Sequence, residues 1–117
     1  MQYALLIYTV PGAQDGDTDE QRQAVTAEYL AIADDPRMVG SAHLKPVDSA
    51  TTVRAPDGRT LITDGPFADT KEVFAGFYLI EADDIEAALE VAERIPSTRL
   101  GGGVEVRPVA RYYTPPQ

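Results

Sequence analysis

Apolar side chains occupy both faces of two segments that have the pattern of β-strands. The first, residues 3–10, is rich in leucine, isoleucine and tyrosine and is followed by Pro11-Gly12. The second, residues 74–82, gives the strongest strand pattern in the chain. Its two faces carry Phe74, Tyr78 and Ile80 on one side and Phe77 and Leu79 on the other. Because a half-exposed strand alternates apolar with polar residues, both strands are predicted to be covered on both sides.

Two further segments begin with helix-capping patterns and continue with apolar positions at helical spacing. The first begins at Thr18, with Gln21 three residues later, and ends at the Asp-Asp-Pro sequence that follows it. The second begins at Asp83, with Glu86 three residues later, and ends at Pro96. The apolar stripes are Val25, Tyr29 and Ile32 in the first helix and Ile85, Ala88, Leu89, Ala92 and Ile95 in the second.

Shorter strands complete the predicted architecture. Residues 38–44 and 104–109 have strand character, and residues 51–55 and 59–63 flank Pro56-Asp57-Gly58, a turn sequence typical of a hairpin. The element order is strand, helix, two or three strands, a long strand, helix and strand. It predicts a ferredoxin-like α+β fold with two helices on one face of an antiparallel sheet.

The open face of that sheet is the basis for predicting a homodimer. Two helices cover one face, so the other face should become polar if it met water. In the first strand and in the long strand it stays apolar. Because a continuous exposed apolar face promotes aggregation, we expect a second copy of the chain to cover it, with the sheets face to face.

The length and charge of the chain narrow the classes of protein to which it could belong. Its 117 residues predict one domain over residues 1–110, followed by a tail over residues 111–117. The 19 acidic and 10 basic residues give a net charge of −9, so direct binding to a nucleic acid is not expected. With no cysteine in the chain, disulfides, thiolate metal sites and a cysteine nucleophile are excluded.

Several other expectations follow from motifs that the sequence lacks. No apolar run is long enough to cross a membrane and no signal-peptide pattern is present, so we expect a cytoplasmic protein. The chain has a single histidine and no carboxylate cluster with ligand spacing, so no metal is expected. Residues 101–103 are three consecutive glycines, but a strand pattern follows them where a phosphate cradle would need a helix. No cofactor is therefore expected.

The most distinctive stretch is residues 64–72, Asp-Gly-Pro-Phe-Ala-Asp-Thr-Lys-Glu, which leads into the long strand. Three other runs accompany it: Thr-Thr-Val-Arg at 51–54, Phe-Tyr-Leu-Ile-Glu-Ala at 77–82 and Val-Glu-Val-Arg-Pro at 104–108. Together they resemble the DGPF branch of the YCII-related family, and the resemblance extends from the first strand to Val109. It implies a small dimeric α+β barrel built from ferredoxin-like halves, in agreement with the strand and helix pattern.

The resemblance also carries implications about function. Family members of the YCII type are suspected enzymes because of a histidine in the first helix and an aspartate in a turn after the second helix. In this chain, residues 18–35 contain no histidine, and residues 96–103 contain no aspartate. The pair is therefore absent from the matching positions. Members of the DGPF type also resemble proteins associated with extracytoplasmic-function sigma factors, which implies a noncatalytic regulatory role as an alternative.

His43 and Asp64 are the candidate catalytic residues. A neutral imidazole at His43 could serve as a general base, and Asp64 could act as a base or orient His43 if their strands are neighbours. Each also has a structural interpretation. His43 could be a solvated or hydrogen-bonded strand residue, and Asp64 could accept backbone N–H groups within its turn.

Four other residues are candidates for binding a ligand. Lys71 and Arg54 could attract an anionic group, although Lys71 could equally be a solvated charge next to Glu72. Phe67 is predicted to anchor its turn in the core, and Tyr78 is either a core residue or a phenol at a pocket. The combined prediction is a cleft near residues 64–71, between the sheet and the first helix, that binds a small molecule. Acid–base chemistry of the lyase or isomerase type would use His43 and Asp64.

Overall fold

A computed structural model describes residues 1–116 and contains six strands and two α-helices in these residues. The strands are β1 (Gln2–Thr9), β2 (Met38–His43), β3 (Thr51–Arg54), β4 (Leu61–Asp64), β5 (Val73–Glu81) and β6 (Gly103–Pro108). The helices are α1 (Asp19–Ala33) and α2 (Ile85–Glu93), and short 3-10 turns form at Val47–Ser49, Pro56–Gly58 and Pro96–Thr98.

The central sheet has the order β2-β5-β1-β6, and all its neighbours are antiparallel. Strands β3 and β4 pair with each other in a separate two-stranded sheet. Helices α1 and α2 pack against the central sheet, so the predicted ferredoxin-like α+β fold is confirmed. The two strands with apolar faces, β1 and β5, lie at the centre, where antiparallel neighbours bond to both edges of each strand.

The core lies between the helices and one face of this sheet. Leu5 of β1 and Ile80 of β5 are fully buried there, against Val91 of α2 and Ile95 just after it. Ile32 is the buried residue of α1, which is otherwise largely exposed. Helix α1 therefore covers the sheet less closely than α2 does.

The N-terminal cap of α1 was predicted correctly, and that of α2 was not. Thr18 caps α1 as expected: its side chain accepts from the Gln21 backbone N–H at 3.1 Å, and the Gln21 side chain accepts from the Thr18 N–H at 2.8 Å. For α2, the prediction that Asp83 is the cap was wrong by one residue. Asp84 has the extended backbone of a cap, and its carboxylate accepts from the Ala87 N–H at 2.9 Å.

The other face of the sheet stays apolar at its centre. Leu6 pairs with Phe77, Ala4 pairs with Leu79, and each of these four side chains is only partly buried. Phe74 was predicted on the same face as Tyr78 and Ile80, and that prediction was wrong. A bulge at Ala75 of β5, across from Ile7 and Tyr8, places Phe74 opposite Tyr8, with the two ring centroids 5.6 Å apart.

The hairpin of β3 and β4 is largely exposed, and so is the turn that follows it. Phe67 is 69% exposed, so the prediction that it anchors the turn in the core was wrong. The Arg54 guanidinium lies 4.2 Å from the centre of the Phe67 ring, and its Nη2 donates to the Phe67 carbonyl at 3.4 Å. The ring is thus held by a cation–π contact with the hairpin and not by burial in the core.

Candidate functional site

A cleft of about 580 Å³ lies between α1 and the core-facing side of β5 and β2. The loop from Thr9 to Asp15 forms one end, and the turn after α2 contributes Ser97. The cleft exists because α1 buries little of its surface against the sheet, so its inner side chains face an open space.

His43 and Tyr78, both predicted site residues, line this cleft. Their strands are neighbours: His43 pairs with Gly76, and Ser41 pairs with Tyr78. Tyr78 is 5% exposed and its hydroxyl donates to the Tyr29 carbonyl at 2.7 Å. Burial raises the pKa of the Tyr78 phenol to about 12, so the group stays neutral across the physiological range. Tyr78 is thus both a core residue and part of the cleft wall.

The structure does not bring the other predicted site residues into this cleft. Phe67 lines a second cavity of about 530 Å³, beside the hairpin. Asp64, Arg54 and Lys71 line neither of these two cavities of the described chain. The cleft does lie between the sheet and the first helix, as expected. It is formed by the loop after β1 and the strand β2, however, and residues 64–71 do not line it.

Tyr29 and Ser97 line the cleft although neither was predicted to have a functional role. Tyr29 belonged to the apolar stripe of α1, and Ser97 was not singled out. The Ser97 hydroxyl and backbone lie beside the half-buried Tyr29 phenol. Burial raises the pKa of that phenol above its usual value, and hydrogen bonding with Ser97 opposes the rise. The sequence did contain one indication, because a tyrosine on the apolar stripe of a helix needs a hydrogen-bond partner for its hydroxyl.

The Tyr29–Ser97 contact joins the first helix to the turn after the second helix. These are the two segments in which the family resemblance implies a histidine and an aspartate, and neither residue occurs in them here. Two hydroxyl groups therefore meet where the resemblance implies an acid–base pair. A hydroxyl pair can donate and accept hydrogen bonds but carries no charge at neutral pH.

The charged groups that line the cleft lie at its outer end. Asp15 and Arg22 are there, and Arg22 donates to the Asp15 carbonyl at 3.2 Å and to the Asp19 carboxylate at 3.3 Å.

Across residues 1–116, no three histidine or acidic side chains are grouped closely enough to hold a metal ion. In the same residues, no helix is long and apolar enough to cross a membrane.

Comparisons with known proteins agree with this architecture. Residues 1–112 match the YCII-related domain. The chain is also similar to an uncharacterised protein of Rhizobium meliloti (strain 1021), with 37% identity over 123 aligned positions. That alignment covers 96% of this chain and 94% of the relative. The chain therefore belongs to the YCII-related family.

Proposed function

We propose that the protein binds a small molecule in the cleft between α1 and the sheet. The observation that carries this proposal is that polar side chains from distant segments line one space, among them His43, Tyr78, Tyr29 and Ser97. The space of about 580 Å³ falls within the range of about 300–1,000 Å³ that is typical of ligand pockets. Apolar side chains form much of the remaining wall, as is usual in such pockets.

His43 is the group in this cleft that could move a proton at neutral pH. If the bound molecule reacts, acid–base chemistry of the lyase or isomerase type is what the lining can supply. Asp64 could assist His43 only if the hairpin of β3 and β4 moved towards the cleft. We also retain the DGPF branch and a cytoplasmic location as proposals, supported by the Asp-Gly-Pro-Phe run and the absence of cysteine.

Blocking the cleft should abolish binding of an apolar probe. Thr26 lies on α1, is exposed and lines the cleft, so Thr26→Trp should fill part of the space without disturbing the core. We expect the neutral fluorophore N-phenylnaphthylamine to bind the wild-type protein and to bind this variant at least about tenfold more weakly. Fluorescence titration measures the difference.

Gln23→Trp is the matched control, because Gln23 is exposed on the same helix and does not line the cleft. Its affinity for the fluorophore should equal that of the wild type. Equal affinity in the wild type and in both tryptophan variants would place the fluorophore elsewhere. That result would overturn the proposal that this cleft is the binding site.

We further propose that the protein is a homodimer in which the open sheet faces meet. The chain exposes 8375 Å², whereas a compact monomer of its mass exposes about 6,200 Å². The excess of about 2,000 Å², to which the exposed hairpin of β3 and β4 also contributes, leaves room for the roughly 800 Å² that each partner buries in a standard interface. The apolar centre of this face, with Leu6 and Phe77, lies next to an ion pair of Glu105 and Arg107 on β6. An apolar centre beside a polar rim is typical of interfaces.

Sedimentation at micromolar concentration tests the homodimer. We expect a single species with twice the mass of the chain. Leu6→Lys should shift it towards the monomer, because the long charged side chain would be desolvated between the two sheets. A wild-type protein that sediments as a well-behaved monomer would contradict the proposal.

The alternative implied by the family resemblance is a regulatory complex with an extracytoplasmic-function sigma factor. The net charge of −9 supports it, since an acidic surface suits the basic regions of a transcription factor. The cleft lends it no support, because a protein partner would not need a space enclosed by one helix and the sheet. We therefore give preference to the small molecule.

A further inference from the structure

We propose that the cleft selects neutral, oxygen-bearing small molecules and that Tyr29 donates the hydrogen bond that holds their carbonyl oxygen. This inference rests on the proposed function and adds the chemical class of the ligand. It assigns a binding role to Tyr29.

The ligand class follows from the charges around the cleft. Arg22 is the arginine that lines the cleft. Its guanidinium already donates hydrogen bonds to the Asp15 carbonyl and to the Asp19 carboxylate. The other polar side chains of the lining carry hydroxyls, the His43 imidazole, the Gln14 amide and the Asp15 carboxylate. An anion would lose its hydration without meeting a free cation, and the net charge of −9 would repel it. A neutral molecule with hydrogen-bonding oxygens loses much less.

Tyr78 is not available as the donor. Its hydroxyl has one proton, which it gives to the Tyr29 carbonyl at 2.7 Å. Giving that proton to a ligand would break this hydrogen bond between β5 and α1. Tyr78 can therefore only accept from a ligand.

Tyr29 retains a proton that it can donate. Ser97 lowers the pKa of the Tyr29 phenol and so faces the phenol oxygen as a hydrogen-bond donor. None of the hydrogen bonds found within residues 1–116 uses the proton of the Tyr29 hydroxyl. The Tyr29 proton is therefore available to a ligand without the loss of a hydrogen bond within the protein. Because burial keeps this phenol protonated, the donor is present at neutral pH.

Apolar side chains of the same cleft suit an apolar ring. Val25 and Leu30 of α1 and Leu100 beyond the second helix line the same space as Tyr29. Leu30 is 62% exposed, so a ring placed against it would remove apolar surface from water. The expected ligand therefore combines a small apolar body with a carbonyl oxygen.

Three probes of similar size separate these contributions: acetophenone, benzoate and ethylbenzene. Acetophenone has a neutral carbonyl, benzoate carries a charge, and ethylbenzene has no hydrogen-bonding group. Measured by ligand-observed NMR on the full chain, acetophenone should bind more tightly than either of the other two. Tyr29→Phe should weaken acetophenone binding about tenfold and leave ethylbenzene unchanged. Tyr113→Phe, the same change at an exposed position outside the cleft, should alter neither.

The outcomes distinguish this inference from the proposed function. Benzoate or ethylbenzene binding as tightly as acetophenone to the wild type would overturn the neutral-carbonyl inference, whatever the Tyr29 variant does. An unchanged acetophenone affinity in a folded Tyr29→Phe protein would overturn the role of Tyr29. In both cases the cleft stands as a binding site if Thr26→Trp still excludes the probes. If the probes bind equally well to Thr26→Trp, both the inference and the proposed function fail.

Discussion

Gly76→Ala is expected to lower the free energy of unfolding by about 3 kcal/mol, the upper end of the usual cost of overpacking. A Cβ atom at Gly76 would lie 2.4 Å from the Ala42 carbonyl oxygen and 3.3 Å from the His43 Cα. Both are backbone atoms of β2, so no side-chain rotation can relieve the contact. The edge strand would have to move away from β5, and the wall of the cleft would move with it. A urea titration followed by circular dichroism measures the change, with a matching drop in Tm of about 10 °C.

Gly40→Ala is the matched control for this prediction. Gly40 lies on β2 itself, and a Cβ atom added there meets nothing within 4 Å. Its effect should stay within about 1 kcal/mol, because a new Cβ mainly reduces the freedom of the unfolded chain. Similar losses in the two variants would mean that any side chain on these strands is harmful. The close approach of β2 to Gly76 would then not be the cause.

The parts of this fold that were predictable from the sequence are those that depend on local chemistry. The capping box at Thr18 and the proline after α2 act within one turn of helix, so nearby residues reveal them. The topology followed from the element order together with the two strands that are apolar on both faces. The bulge at Ala75 was not predictable, because β5 is apolar on both faces and a change of face by Phe74 leaves no mark in its sequence pattern.

The candidate site was harder to predict because it depends on contacts between distant segments. His43 and Tyr78 were recognisable by residue type, and antiparallel pairing of β2 with β5 brings them into one cleft. Tyr29 had the spacing of a core residue, and its contact with Ser97 joins positions far apart in the chain. For Phe67 a burial was predicted that the structure does not have. An aromatic residue in a turn suggested a core anchor, but the ring is exposed and Arg54 stacks on it.

Asp35, predicted only as part of the sequence that ends α1, connects the C-terminal ends of the two helices. Its side chain is 7% exposed and accepts from the Arg37 backbone N–H at 2.9 Å. It also accepts from Nε and Nη2 of Arg37, both at 3.0 Å, and from Nη2 of Arg94 at 3.3 Å. Because Arg37 precedes β2 and Arg94 follows α2, the carboxylate links the end of α1 to both of these elements. Hydrogen bonds from Arg37, more than the charge of Arg94, hold the pKa of Asp35 well below its usual range.

Asp35→Asn should therefore destabilise the fold by about 2 kcal/mol at neutral pH, since charge-assisted hydrogen bonds contribute about 1.5–3 kcal/mol. The amide keeps the size of the side chain but cannot accept on both sides or attract the two guanidinium groups. Asp34→Asn is the control, because Asp34 is the exposed neighbour at the end of α1. It should have little effect or stabilise slightly, since a negative charge is unfavourable at a helix C-terminus. Equal losses from the two changes would show that any acidic residue at this helix end matters equally.

The loss caused by Asp35→Asn should also depend on pH, in a direction fixed by the lowered pKa of Asp35. The folded carboxyl binds its proton less readily than the unfolded one, so its contribution to stability is complete above the unfolded pKa of about 4. Below that pH the unfolded chain takes up the proton first, and the contribution falls as the pH approaches the folded pKa. The difference in stability between wild type and Asp35→Asn should therefore be constant from neutral pH down to about 5 and shrink towards pH 2. Urea titrations of both proteins across this range measure it, and a difference that stays constant down to pH 2 would contradict the role given to the ionised carboxylate.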